Sequence, residues 1–224
     1  TISRPMTKEG IECWHEPYDH GMWQFKIKHG VKKVRFGDLG WRLGYARDAI
    51  SSYFIFKTLR DEGVIPPDIK FQVCLPLTAS AVYRWLADKN DYPAIREGFS
   101  EALHHEVRTI FNNIPHKDLA IQWDCAIEDT VIEEALEKAG GLTKDVQRLV
   151  DQLFEPARDV SSHIPDDVTL GYHACYGTSG GWPKREPEDL TGAVLLCNAA
   201  IKSSGRRVDF LHIPTINSKG PNYF

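Results

Sequence analysis

The chain has 224 residues, of which 42% are hydrophobic, so it can bury a sizeable core, most simply within one domain. Its formal net charge of −4 at pH 7 comes from interspersed acids and bases, which predicts no partner among nucleic acids or anionic membranes. The absence of a bilayer-length apolar run and of a hydrophobic signal core, together with five scattered cysteines, predicts a cytoplasmic protein without a disulfide framework.

The predicted elements alternate between helical and extended segments after a loop-rich start. Helical spacing of apolar residues and short apolar runs predict the two types, and Thr143 stands where an N-cap belongs. In chain order they are loops over 1–30 with an alternating arm at 23–28, a helix over 45–59, a strand over 69–75, helices over 79–86 and around 99–111, a strand over 119–123, helices over 130–139 and 143–163, a strand over 168–175, a helix over 187–203 and a strand over 207–211.

Strands that alternate with helices predict a parallel sheet, because each crossover between parallel strands needs a helix to return the chain. This pattern fits either a closed (β/α) barrel of the TIM type or an open doubly wound sheet. No Gly-x-Gly-x-x-Gly motif follows a strand and no phosphate-binding loop is present, which disfavours a nucleotide-binding open sheet.

Three successive strands end on side chains with chemical use. Asp124 ends one strand, His173 and Cys175 end the next, and His212 follows the last. In a parallel barrel the carboxyl ends of the strands meet at one face, so residues 40–50 positions apart would converge in one pocket. An imidazole and a thiolate two residues apart can bind one zinc ion from the same side.

Three segments carry a family resemblance that runs from about Val31 to Phe224. They are Leu-Ala-Ile-Gln-Trp-Asp at 119–124, Gly-Tyr-His-Ala-Cys-Tyr-Gly at 171–177 and Asp-Phe-Leu-His-Ile-Pro at 209–214. The chain resembles the barrel domain of cobalamin-independent methionine synthase, and more closely the smaller bacterial and fungal proteins grouped with it. The same superfamily includes uroporphyrinogen decarboxylase.

The resemblance implies a site and a reaction. His173 and Cys175 would be ligands of a catalytic zinc, and His212 would be a third ligand or a general base, with Glu186 a weaker candidate. Asp124 matches the acidic residue that contacts the amino group of the substrate, so the substrate-binding candidates are Gln122, Trp123 and Asp124. The implied function is zinc-dependent methyl or alkyl transfer to a thiol, with a small-molecule thiol or amino acid as substrate.

Two departures from the family pattern concern the size and the metal site of the barrel. The synthase takes its last zinc ligand from a distal cysteine, whereas no cysteine follows Cys197 here. Cys197 itself lies in the middle of a predicted helix, where a packing role explains it. A full barrel takes roughly 250 residues, and only four strands are clearly marked. We therefore expect an incomplete or truncated TIM-type barrel over residues 1–224. Its unpaired sheet edges predict either a partner chain, such as a second copy in a homo-oligomer, or rearranged strands.

Two other functions remain open from the sequence. A metal-free decarboxylase or lyase could use Asp124, His173 and His212 for acid–base chemistry, and a bell-shaped pH profile without metal would support it. A non-catalytic barrel fragment could instead bind a small ligand or complete a partner subunit.

Overall fold

A computed structural model describes residues 24–31, 33–36, 43–176, 187 and 189–214. The described residues form two compact units. The first comprises the described residues up to Asp68 together with Ala81–Ile114, and the second comprises Ile69–Ser80 and the described residues from Pro115 onward. No helix within these ranges has the length and apolar character that crossing a membrane requires.

The first unit is built on two helices, α1 (Tyr45–Asp61) and α3 (Tyr92–Asn113), which pack against each other. The Phe99 ring of α3 meets Phe36 edge to face at 5.5 Å. Gly98, next to it, lies against the backbone of Val34, where a Cβ would come within 2.3 Å of the Val34 carbonyl oxygen. A glycine is therefore required where α3 meets this extended segment.

A buried carboxylate in the first unit caps α1 from outside its own sequence. Glu106 of α3 is 3% exposed, and its Oε1 accepts hydrogen bonds from the backbone N–H groups of Leu43 at 2.7 Å and Gly44 at 3.3 Å. Its Oε2 accepts from the Ala46 N–H at 2.6 Å. The negative charge satisfies N–H groups at the amino end of α1, which begins at Gly44 without a side-chain cap of its own.

The chain between the first strand and α3 is less regular than its apolar pattern predicts. The helix expected over 79–86 is only α2 (Thr78–Val82), followed by short 3₁₀ turns at Tyr83–Trp85 and Lys89–Asp91. The arm expected over 23–28 contributes one parallel bridge, between Phe25 and Leu86, and Trp23 lies outside the described residues.

The second unit contains a four-stranded parallel sheet whose strand order follows the sequence. Its strands are β1 (Phe71–Pro76), β2 (Leu119–Cys125), β3 (Thr169–Ala174) and β4 (Phe210–His212). The prediction of a parallel sheet is therefore confirmed, and the protein is a mixed α/β protein.

Three helices of the second unit connect its strands: two lie between β2 and β3 and one lies between β3 and β4. They are α4 (Ala126–Ala139), α5 (Lys144–Ser161) and α6 (Thr191–Ser203). The predicted cap of α5 is confirmed, since the Thr143 hydroxyl accepts a hydrogen bond from the Val146 N–H at 3.3 Å. Helix α4 begins earlier than its apolar pattern indicates, because its first turn buries carboxylates rather than apolar side chains.

The two faces of the sheet have different chemistry. One face is apolar and packs on the helices: Trp123 and Tyr172 are fully buried, and the Tyr172 hydroxyl is hydrogen-bonded to Ser161 of α5 at 3.1 Å. The opposite face, called the polar face below, carries the side chains that alternate with these. It includes Gln72, Cys74, Gln122, Asp124, Gly171, His173, Phe210 and His212.

Candidate functional site

Asp124, His173 and His212 form one row across the carboxyl end of the sheet. Asp124 pairs in register with His173, and His173 pairs with His212. Neighbouring strands lie about 4.8 Å apart, and residues directly opposite each other project from the same face. The structure thus brings together side chains from three strands that are 39 to 88 positions apart in sequence.

The two imidazoles of the row lie against each other. Their ring centroids are 4.7 Å apart, with an angle of 39° between the ring planes. Burial lowers the pKa of His173, and the neighbouring His212 lowers it further, while Asp124 and a hydrogen bond to the His212 backbone act in the opposite direction. His173 is therefore neutral near pH 7, and its Nδ1 is buried without a hydrogen-bond partner in the described structure.

A chain of amide hydrogen bonds orients Asp124. The Gln122 Nε2 donates to Asp124 Oδ1 at 2.9 Å, and the Gln122 Oε1 accepts from Gln72 Nε2 at 3.2 Å. Because a carboxylate only accepts hydrogen bonds, the nitrogen end of the Gln122 amide must face Asp124. Both amides also donate to the Cys74 sulfur, at 3.3 and 3.4 Å. Gln122 is thus a positioning residue for Asp124.

Cys175 is not part of the row. It follows the last residue of β3, Ala174, and is half-buried. Within the described ranges, no set of three or more histidine, cysteine or acidic side chains has an arrangement that could hold a metal. Among these residues His173 and His212 therefore form a pair rather than a complete donor set. Glu186 lies outside the described residues.

Trp123 occupies the other face of the sheet. Its side chain is fully buried on the helix side, opposite the direction in which Gln122 and Asp124 project. The Trp123 indole is therefore not accessible from the polar face, although the sequence motif includes this residue. Of the three substrate-binding candidates, Gln122 and Asp124 lie on the polar face.

Sequence reasoning missed four members of the polar face. Gln72 and Cys74 come from β1, Gly171 precedes His173 by two residues, and Phe210 precedes His212 by two. The signal that could have found them is the two-residue period of a strand, counted backward from each candidate.

No protein-family model, curated protein or solved structure matches this chain. The methionine-synthase resemblance therefore stays a prediction.

Proposed function

We propose that the protein is an enzyme of the methionine-synthase type that transfers a methyl or alkyl group to a small-molecule thiol with the help of zinc. The observation that carries the proposal is the pairing of His173 with His212 on adjacent strands, with ring centroids 4.7 Å apart. Two imidazoles with one thiolate or carboxylate form a usual protein donor set for catalytic zinc, which keeps one position open for substrate.

The donor chemistry of the polar face fits this metal. His173 is neutral near pH 7, as a zinc-ligating imidazole must be, and its Nδ1 lacks a competing hydrogen bond. Cys175 is the third ligand that the resemblance implies, and Asp124 is the oxygen donor already in the row. When bound, zinc lowers the pKa of a coordinated thiol and keeps it nucleophilic at neutral pH.

The other polar side chains would hold the substrate for the transfer. Asp124, kept in one orientation by Gln122, offers its carboxylate to a cationic group such as an ammonium. In the transfer, the thiol releases its proton to solvent, a sulfur–carbon bond forms, and the bond from that carbon to the alkyl donor breaks. The bonding electron pair stays with the donor.

The order of the strands supports a barrel as the architecture of the proposed enzyme. In a (β/α) barrel, consecutive strands are neighbours, all strands are parallel and the crossover helices lie outside. Strands β1 to β4 follow each other in this way, with α4 to α6 on one face. The polar face would then line the inside of the barrel.

Metal analysis of the purified full chain tests the proposal. We expect about one zinc per chain, and loss of zinc in the His173→Ala and His212→Ala variants, while His163→Ala, an exposed histidine of the same unit, keeps it. Substitution with Co²⁺ identifies the third ligand, because a thiolate-to-cobalt charge-transfer band that disappears in Cys175→Ser assigns Cys175. Zinc content that is negligible in the wild type, or equal in all variants, would refute the proposal.

A metal-free acid–base enzyme is the second candidate. The neutral His173 next to an oriented Asp124 favours it, since a neutral imidazole can accept a proton from a substrate. Activity that survives complete removal of metal, with a bell-shaped pH dependence, would decide for this candidate and against the zinc enzyme.

A further inference from the structure

The ring of Phe210 lies flat over the backbone of Gly171 on the polar face. A Cβ placed on Gly171 would come within 2.2 Å of Phe210 Cζ and within 2.4 Å of both Cε atoms. Gly171 and Phe210 are paired in register on β3 and β4, so the ring reaches from its own strand across the neighbouring strand. Only glycine leaves room for the ring in this position.

The Phe210 ring lies on the same face as His173 and His212, nearer the amino ends of the strands. Gly171 and Phe210 precede His173 and His212 by two residues, which separates the two levels by about 7 Å along the strands. The Phe210 side chain is half-exposed, although a phenylalanine is usually buried. An apolar surface of this kind beside two imidazoles is suited to contact with a ligand.

The residues paired in register with Gly171 and Phe210 on the polar face differ in polarity between the strands. On β1 and β2 they are Cys74 and Gln122, joined by hydrogen bonds, while β3 and β4 carry only the Phe210 ring over Gly171. The part of the polar face two residues before His173 and His212 is thus polar on β1 and β2 and apolar on β3 and β4.

We propose that Phe210, seated on Gly171, is the part of the binding site that selects the substrate, and that the substrate carries a flat or bulky apolar group about 7 Å from its reacting atom. This inference rests on the proposed function for the identity of the reacting atom, a thiol sulfur. The apolar group stacks on the Phe210 ring while the sulfur lies at the level of His173 and His212. A short polar thiol would leave the ring in contact with water.

The probes are phenylpropanethiol and propanethiol, which share the thiol and differ in the ring. Titration of the zinc-loaded full chain should show that the wild type binds phenylpropanethiol more tightly by about three- to tenfold. Phe210→Ala should remove this preference, so that the two thiols bind with about equal affinity. Phe210→Leu, which keeps an apolar side chain over Gly171, should reduce the preference while the protein stays folded.

Leu211→Ala is the matched control. Leu211 neighbours Phe210 in β4 but pairs with Tyr172, so it projects from the opposite face of the sheet. This variant should keep the preference for the aromatic thiol, whereas a purely structural role of β4 packing would make Leu211→Ala and Phe210→Ala equal. A wild type without the preference, or a Phe210→Ala variant that retains it, would overturn the inference.

The corresponding alcohols separate this inference from the proposed function. Phenylpropanol and propanol need no zinc to reach the polar face, so their affinities are measured on the metal-free chain. A Phe210-dependent preference there, in a protein that binds no zinc, would refute the zinc enzyme and leave the aromatic subsite standing. Zinc binding without a Phe210-dependent preference would support the zinc enzyme and refute the role of Phe210 in substrate selection.

Discussion

The hydroxyl of Ser80 donates a hydrogen bond to the fully buried carboxyl group of Glu128, and the Ser80 backbone N–H donates to the same group at 3.1 Å. The Ser80 oxygen in turn accepts from the Ile127 N–H at 3.0 Å. The start of α2 is thereby joined to the first turn of α4 through a titratable group that no water reaches.

Burial makes this carboxyl group a source of pH-dependent stability. It raises the pKa of Glu128 from 4.5 to about 7, although the hydrogen bonds from Ser80 and nearby backbone groups lower it in part. Between these values the folded protein keeps the proton and the unfolded chain has lost it, so stability falls as the pH rises and levels off above about 7. The full effect is about 3 kcal/mol.

Glu128→Gln should remove this contribution. The free energy of unfolding of the wild type, measured relative to the variant by urea denaturation at a series of pH values, should fall by about 3 kcal/mol between pH 4.5 and 7. Glu137→Gln, at an exposed position of the same helix, should show no such trend. A pH-independent difference between the wild type and Glu128→Gln would contradict the buried protonated carboxyl group.

Glu106→Gln should destabilise the first unit. The amide keeps the shape of the side chain but loses the charge, and its nitrogen faces a backbone N–H that needs an acceptor. We expect a loss of about 2 kcal/mol in the free energy of unfolding, with faster hydrogen exchange in α1. Glu101→Gln on the same helix breaks only a partly exposed ion pair with Lys33 and should cost less than about 1 kcal/mol. Equal costs for the two variants would rule out the capping role.

Gly171→Ala should be destabilising in a way that depends on Phe210. The new methyl group displaces the ring, which should cost about 1–3 kcal/mol in the free energy of unfolding. In the Phe210→Ala background the space is free, and the same substitution should cost almost nothing. A double-mutant cycle measured by urea denaturation gives this coupling. Additive effects would show that the ring does not occupy the space above Gly171.

Much of the second unit could be predicted from the sequence because parallel pairing has a strong local signature. The apolar runs and the helices between them located the four strands, and polar residues at strand ends indicated the row of Asp124, His173 and His212. The start of α4 could not be predicted in this way, because Glu128 and Asp129 carry no apolar signal and yet are buried.

The sequence by itself determined which residues end the parallel strands, because strand and helix periodicity is a local property of the chain. Only the tertiary structure decided which face each side chain joins and which atoms it meets. Trp123 faces the helices although it stands between Gln122 and Asp124, and the Phe210 ring covers a glycine 39 residues away. The physical reason is that such contacts depend on register and side-chain orientation between distant segments, which no local pattern records.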